Sequence, residues 1–160
     1  GKNPFITCLD HKLIPTKSQL EELSNLEDIL MVGYPIGIWD YVNNKPIFRK
    51  GVTATHPNLD YNGKKEFLSD VACFPGSSGS PVVILNELGY RDRSGIKMGA
   101  SRCFLLGVLR AGPQYKISGD ISIIDVPDAQ KPMSETSIPT NLGCVIKSER
   151  ILELEKQFEE

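Results

Sequence analysis

A short loop of small residues holds the side chains best suited to chemistry in this chain. Residues 74–81 read FPGSSGSP, with Ser78 between Ser77 and Gly79. A serine hydroxyl becomes a good nucleophile once a base takes its proton, and the oxyanion that forms on the attacked carbonyl needs hydrogen-bond donors. Losing one such donor costs roughly 2.7–4 kcal/mol of transition-state stabilisation. Gly76 can adopt conformations closed to residues with a side chain, so the loop predicts an oxyanion hole, formed by the amides of Gly76 and Ser78, beside the nucleophile Ser78.

The simpler interpretation of this loop is a plain turn between two strands, and its four central residues alone would favour that. The surroundings favour a reactive loop instead. A strand that contains Asp70 lies just upstream, and the apolar run 82–84 follows directly. Pro75 and Pro81 flank the turn. Proline fixes its own φ, so the loop enters and leaves the neighbouring strands with a restricted backbone.

Six apolar segments are expected to position the loop. They occupy residues 29–33, 46–55, 66–72, 82–85, 102–110 and 142–146. Short strands at regular spacing are typical of an all-β fold, either a small closed barrel or a sandwich. A helix should follow the last strand, with Ser148 as its N-cap.

The connections between these strands differ in character. Residues 17–28 are polar with a leucine at every third position, which predicts one or two helical turns or an ordered loop. Residues 56–65 are a loop, and residues 86–97 are a hairpin-type connection. Residues 114–140 carry three prolines and few apolar anchors, so they predict a long surface loop.

Three blocks of sequence, in the same order as in a known family, extend the argument beyond the loop. They are GYPIG at 33–37, GVTA at 51–54 and DVACFPGSSGSP at 70–81. These blocks resemble those of trypsin-like (chymotrypsin-fold) serine peptidases, most closely the bacterial branch that includes the high-temperature-requirement proteases. Residues 106–112 resemble the strand that lines the primary specificity pocket, and residues 141–146 resemble the final strand before the C-terminal helix.

The resemblance spans residues 29–154 and implies one half of a two-barrel fold. Residues 29–160 would form the C-terminal barrel, a six-stranded antiparallel β-barrel with a closing helix. Residues 1–28 would be a lead-in or inter-barrel segment. The chain starts at Gly1 without an initiator methionine or a signal-peptide pattern, so we expect it to be part of a longer protein.

The resemblance also assigns roles to individual residues. Ser78 matches the nucleophile, and the amides of Gly76 and Ser78 match the oxyanion hole. Ser77 replaces an acidic residue that pairs with a freed N-terminus in zymogen activation, which implies an enzyme that needs no such cleavage. Ser80 stands where glycine is common. The walls of the specificity pocket would be Ala72, Cys73, Arg110, Ala111, Gly112 and Gly143. No carboxylate matches the pocket base, so a small or apolar residue before the scissile bond is expected.

The base and the acid of a Ser-His-Asp triad have no match in this chain. In this family both precede the serine and come from the first barrel and the inter-barrel segment. The two histidines, His11 and His56, lie outside any matching block and are interpreted as surface or turn residues. Asp40 and Asp70 are interpreted as structural, with Asp70 buried and hydrogen-bonded beneath the loop. The chain is therefore expected to be a serine peptidase (hydrolase) fragment that is nearly inactive alone, its histidine and aspartate being supplied from upstream.

Two other functions compete with this one. One is a protease-like module that has lost its chemistry and binds peptides or partners. The other is a cysteine-dependent enzyme that uses Cys73, which is disfavoured because Cys73 precedes the turn. The expected partners are a polypeptide substrate and the missing N-terminal barrel, with self-association through the apolar face that the barrel would cover.

Composition excludes several other classes. The chain has 160 residues and a net charge of −2, which suits a single domain and argues against a nucleic-acid partner. No apolar run is long enough to cross a bilayer. Nothing predicts a metal or an organic cofactor. The four cysteines, Cys8, Cys73, Cys103 and Cys144, allow two disulfides but lie in apolar runs, so buried free thiols and a reducing, cytoplasmic compartment are favoured.

Overall fold

The computed structural model describes residues 9–112, 114–120, 133–139 and 141–155. The strands are β1 (Asp28–Gly33), β2 (Ile47–Thr53), β3 (Glu66–Asp70), β4 (Pro81–Asn86), β5 (Gly89–Asp92), β6 (Gly95–Met98), β7 (Arg102–Ala111), β8 (Gln114–Asp120), β9 (Met133–Pro139) and β10 (Leu142–Lys147). The α-helices are α1 (Lys17–Glu21) and α2 (Glu149–Glu155). Single 3-10 turns occupy His11–Leu13 and Pro35–Gly37.

Six of the strands close into a barrel. Their order around it is β1-β2-β3-β10-β7-β4, and every neighbouring pair is antiparallel. The fold is therefore an all-β, six-stranded antiparallel barrel followed by a short C-terminal helix, as expected. Each of the six apolar segments contributes one barrel strand. The β5–β6 hairpin confirms the hairpin-type connection, and α1 shows that residues 17–28 contain a helical turn.

The barrel interior is filled by alternate residues of its strands. Ile29 and Met31 of β1 are buried, as are Val82 and Ile84 of β4, and the residues between them are more exposed. Successive side chains of a strand point to opposite faces, so this alternation places one face of every strand inside. Fully burying an aliphatic or aromatic side chain of this size contributes about 1.5–3 kcal/mol each.

The expectation of a long surface loop at residues 114–140 was wrong. β8 and β9 lie in that segment and pair antiparallel along their whole length, from Gln114 opposite Pro139 to Asp120 opposite Met133. The alternation of Tyr115 and Ile117 with polar residues is typical of a strand. Pro139 ends β9, a position where a missing N–H disturbs few ladder hydrogen bonds.

The cysteine expectation was partly wrong. Cys73, Cys103 and Cys144 are free, and Cys8 lies outside the described residues. Cys73 and Cys144 are buried as expected, but Cys103 is exposed. Cys103 pairs with Leu85, which is itself largely exposed, so both lie on the outer face of the barrel. No helix among the described residues is long and apolar enough to span a membrane.

A buried ion pair lies at one end of the barrel, where the barrel meets the β5–β6 hairpin. Glu27 accepts a hydrogen bond from Nη2 of Arg102, and both side chains are buried. Arg102 also donates from Nε to Oδ1 of Asn86 at 2.8 Å, and its Cζ lies 4.2 Å from the ring centroid of Tyr90. The second carboxylate oxygen of Glu27 accepts from the Ser24 amide at 2.6 Å. The start of β1, the start of β7 and the β5–β6 hairpin thus share one polar centre.

We predict that Glu27→Gln lowers the free energy of unfolding by about 3–5 kcal/mol, because it leaves the Arg102 guanidinium buried without a countercharge. Urea denaturation at pH 7 measures the change. The control is Asp28→Asn, which removes the exposed Asp28–Lys50 pair on the next residue and should change stability by no more than about 1 kcal/mol. Equal effects of the two substitutions would contradict a structural role for the buried pair.

Candidate active site

The Gly/Ser loop is packed against the end of β1. Gly33, the last residue of β1, lies so close to Ser80 that a Cβ at Gly33 would overlap the Ser80 Oγ and lie 3.2 Å from its Cβ. Ser80 is buried. The backbone of the loop is also tied to β7, because Gly79 donates to the Leu109 carbonyl at 2.7 Å and Leu109 donates to the Ser80 carbonyl at 2.9 Å. The resemblance expects a glycine at position 80. Ser80 fits there because the residue that it faces, Gly33, has no side chain.

Ser77 fixes the conformation of the loop from its buried side. Its side chain is only 1% exposed, and its Oγ accepts from the Phe74 amide at 3.4 Å. The Ser77 amide donates to the Phe74 carbonyl at 2.9 Å. A neutral hydroxyl thus makes a local turn contact at the position where the resemblance has an acidic residue. Ser78 is exposed at the surface of the same turn.

Two carbonyl groups fix the direction of the two amides assigned to the oxyanion hole. The carbonyl and the N–H of one trans peptide unit point in opposite directions. The Pro75 carbonyl accepts from the Ile36 amide at 2.7 Å, so the N–H of Gly76 points away from Ile36. The Ser77 carbonyl accepts from the Ser80 amide at 3.2 Å, so the N–H of Ser78 points away from Ser80. Within the described residues, neither of these two N–H groups donates to a protein acceptor.

The turn that holds the Pro75 carbonyl has an unusual backbone. Ile36 lies in the left-handed region, with φ 53° and ψ 25°. This conformation costs a residue with a side chain roughly 1–2 kcal/mol, and it is rare for a β-branched one. Gly76, beside it, has φ 86°, and a Cβ there would lie 3.0 Å from the Tyr34 carbonyl oxygen. The turn and the loop approach so closely because Gly76 has no side chain.

The structure brings together three of the residues assigned to the specificity pocket. A Cβ at Gly112 would lie 3.5 Å from the Cβ of Cys73, and one at Gly143 would lie 2.6 Å from its Sγ. Arg110 makes its side-chain contacts elsewhere, with Nε 3.2 Å from Oε1 of Glu66. Ala111 is placed by its backbone, which pairs with β10. The sixth residue, Ala72, precedes Cys73 and is partly buried.

The Cys73 thiol is neutral near pH 7. Burial raises its pKa to about 11, with nearby Arg49 lowering the pKa and Asp70 raising it by smaller amounts. A thiolate is the reactive form of cysteine, so this environment disfavours Cys73 as a nucleophile. A neutral thiol is also weakly polar, which suits the apolar pocket wall expected from the resemblance.

The interpretation of both histidines as surface or turn residues fits their contacts. His56 accepts from the Asn58 amide through Nδ1 at 3.2 Å, which leaves Nε2 to donate to the Leu23 carbonyl at 3.3 Å. His56 follows β2 at the end that pairs with the start of β1. Five residue steps of β1 separate that end from Gly33, which is a distance of roughly 17 Å along the strand. His11 is exposed and contacts Asp10 at 3.2 Å. Among the described residues, neither histidine is hydrogen-bonded to Ser78.

The expectation that Asp70 is buried beneath the loop was wrong. Asp70 is exposed at the end of β3, whereas Ser69 before it is fully buried and donates to the Gly143 carbonyl at 3.2 Å. The alternation along β3 sends the carboxylate outward. Asp40 is likewise exposed, and it caps its own turn by accepting from Asn43.

A surface groove lies away from the loop. A groove of about 880 Å³ surrounds the Glu27–Arg102 pair and the β5–β6 hairpin, at the opposite end of β1 from Gly33. No group of three or more His, Cys, Asp or Glu side chains in the described part of the chain is arranged to hold a metal ion. The chain matches no protein-family model, no curated protein and no solved structure.

We predict that Gly33→Ala lowers the free energy of unfolding by about 1–3 kcal/mol, because the new Cβ overlaps the buried Ser80 side chain. Ser80→Gly in the same chain should restore most of this loss, which a urea titration of the four-member cycle measures. Residues in contact show interaction energies of about 0.5–3 kcal/mol in such cycles. Strict additivity of the two substitutions would contradict the proposed contact.

Proposed function

We propose that this chain is the C-terminal barrel of a trypsin-like serine endopeptidase, with Ser78 as its nucleophile. The observation that carries the proposal is the direction of two peptide units. The Pro75 and Ser77 carbonyls are bonded within the protein, and the N–H groups of Gly76 and Ser78 point the other way. Two backbone donors on either side of Ser77, beside an exposed serine, are the parts an oxyanion hole needs.

In the proposed reaction a histidine from outside this chain takes the Ser78 Oγ proton as Oγ attacks the scissile carbonyl. The carbonyl oxygen becomes an oxyanion, which accepts hydrogen bonds from the Gly76 and Ser78 amides. The histidine then protonates the leaving amine, and an acyl-enzyme forms on Ser78. Water, deprotonated by the same histidine, hydrolyses the ester and restores the serine.

An exposed apolar segment next to the loop supports a missing partner barrel. Its large side chains are Tyr34, Ile36, Ile38, Trp39, Tyr41 and Val42, which are 45–80% exposed. Several large exposed apolar side chains within one short segment favour an interaction site there. The segment touches the loop through the Ile36–Pro75 hydrogen bond. A first barrel seated there would cover this surface and bring its histidine and aspartate toward Ser78, and self-association through it is expected when that barrel is absent.

The decisive experiment uses the full-length protein with a fluorophosphonate probe and a quenched peptide library. We expect rapid stoichiometric labelling and peptide cleavage, and loss of both in Ser78→Ala, with kcat lowered on the order of 10⁶-fold. The isolated 160-residue chain should label slowly because it lacks the base.

Ser101→Ala is the matched control, since Ser101 is an exposed serine outside the loop. Full-length protein that binds peptides but neither labels nor cleaves would support the alternative, an inactive peptide-binding module. Rapid labelling of the isolated chain would show that a base is present in it.

We predict a preference for small or apolar residues before the scissile bond. The proposed pocket wall brings together Gly112, Gly143 and the neutral Cys73 thiol. In the sequence, no carboxylate matches the family's pocket base, where it would pair with lysine or arginine. A panel of chromogenic peptides that differ only at that residue measures kcat/KM for each. Cleavage confined to the arginine and lysine substrates would contradict this assignment.

A further inference from the structure

Arg49 reaches beneath the segment that leads into the loop. It pairs in register with Met31, which is buried, so its side chain starts from the interior face of β2. Gly51 lies two residues further along the same face. A Cβ there would overlap the Asp70 carbonyl oxygen and lie 2.6 Å from the Cβ of Val71. The missing side chain lets β2 approach the end of β3, and this brings Arg49 within reach of Ala72.

The Arg49 guanidinium holds two residues, one on each side of Cys73. Nη1 donates to the carbonyl of Ala72. The Cζ atom lies 4.9 Å from the ring centroid of Phe74, a distance typical of a cation–π contact. Within the described residues Arg49 has no carboxylate partner. The Arg49 guanidinium therefore binds the Ala72 carbonyl and the Phe74 ring.

The held segment controls the geometry of the loop that follows. Phe74 makes both backbone contacts with Ser77, whose carbonyl orients the Ser78 amide. Pro75, the next residue, presents the carbonyl that orients the Gly76 amide. Any displacement of Phe74 is thus transmitted to both amides.

We propose that Arg49 is a positioning residue, which clamps residues 72–74 and through them orients the amides of Gly76 and Ser78. The clamp itself is a property of this chain. Its catalytic meaning rests on the proposed function.

The first test measures how well Cys73 is protected. Iodoacetamide alkylation of each cysteine is followed by mass spectrometry in the wild-type chain and in Arg49→Ala, Arg49→Met and Arg49→Lys. Loss of a hydrogen bond to a charged group should raise the alkylation rate of Cys73 about tenfold or more in the alanine and methionine variants. Lysine should restore part of the protection, because an ammonium also donates to a carbonyl and lies on a ring.

Two controls accompany this test. Lys50→Ala removes the neighbouring cation, whose partner is the exposed Asp28, and should leave Cys73 unchanged. Cys103 is exposed and serves as an internal standard for the reactivity of the reagent, so its alkylation rate should be the same in every variant. Arg49→Met keeps an unbranched apolar stem without the guanidinium, so it serves if Arg49→Ala unfolds. Circular dichroism checks the fold of each variant. An unchanged Cys73 rate in Arg49→Met would overturn the clamp.

The pH profile separates a clamp from a nearby charge. If Arg49 keeps the segment closed, its loss exposes the thiol, and the pKa of Cys73 falls from about 11 toward its ordinary 9.0. If Arg49 acts only as a positive charge that favours the thiolate, its loss raises the pKa further. A rise in the alkylation pKa would overturn the proposal.

The last test links the clamp to catalysis in the full-length protein. Arg49→Met should lower kcat at least about tenfold with KM unchanged, because the oxyanion forms only after substrate has bound. Faster alkylation of Cys73 together with an unchanged kcat would overturn the catalytic role of Arg49. If Ser78→Ala retained activity, the proposed function would fail, while the Cys73 measurements would still decide the clamp.

Discussion

The proposed oxyanion hole depends above all on one hydrogen bond, from the Ile36 amide to the Pro75 carbonyl. This bond joins the turn after β1 to the peptide unit that carries the Gly76 amide, and so it decides which way that amide points. The neighbouring contacts make it possible. Gly33 leaves room for Ser80, and Gly76 leaves room for the Tyr34 carbonyl. A rotated peptide would present the Pro75 carbonyl oxygen in place of the Gly76 N–H, so the proposed oxyanion hole requires this bond.

The residue that donates this bond, Ile36, adopts a left-handed conformation. A β-branched residue with an exposed side chain gains little from its surroundings to offset that strain, and the Ile36 side chain is 61% exposed. Strain of this kind persists where the surrounding structure over-determines the backbone. Here the hydrogen bond to Pro75 is one such restraint. A partner that covered the apolar segment from Tyr34 to Val42 would add burial of Ile36 to it, and would thereby stabilise the turn.

Sequence patterns predicted the parts of this fold that depend on local hydrophobicity. The six barrel strands and the helix after Ser148 follow from apolar runs and turn residues, and the tight turn at residues 76–79 follows from its glycines and serines. What was missed depends on partners distant in sequence. β8 and β9 were hidden by prolines, which fall at strand ends or between strands. The expectation that Asp70 is buried was wrong, because the register of β3 decides which of its side chains point into the barrel. Arg49 gave no signal, since its contacts are with residues 23 and 25 positions away.

The two interior arginines show how the partner of a charge decides its role. Arg102 is bonded to the carboxylate of Glu27, and both side chains are buried. Breaking the pair would leave one buried charge without a partner and would destabilise the whole barrel. Arg49 is only partly buried and is bonded to a carbonyl and a ring. Water can solvate its side of the contact, so its loss costs the barrel less. A carbonyl, unlike a carboxylate on a flexible side chain, cannot move without moving the main chain. The cation at this end of the barrel therefore acts on the position of the backbone, and the position of the backbone is what an oxyanion hole requires.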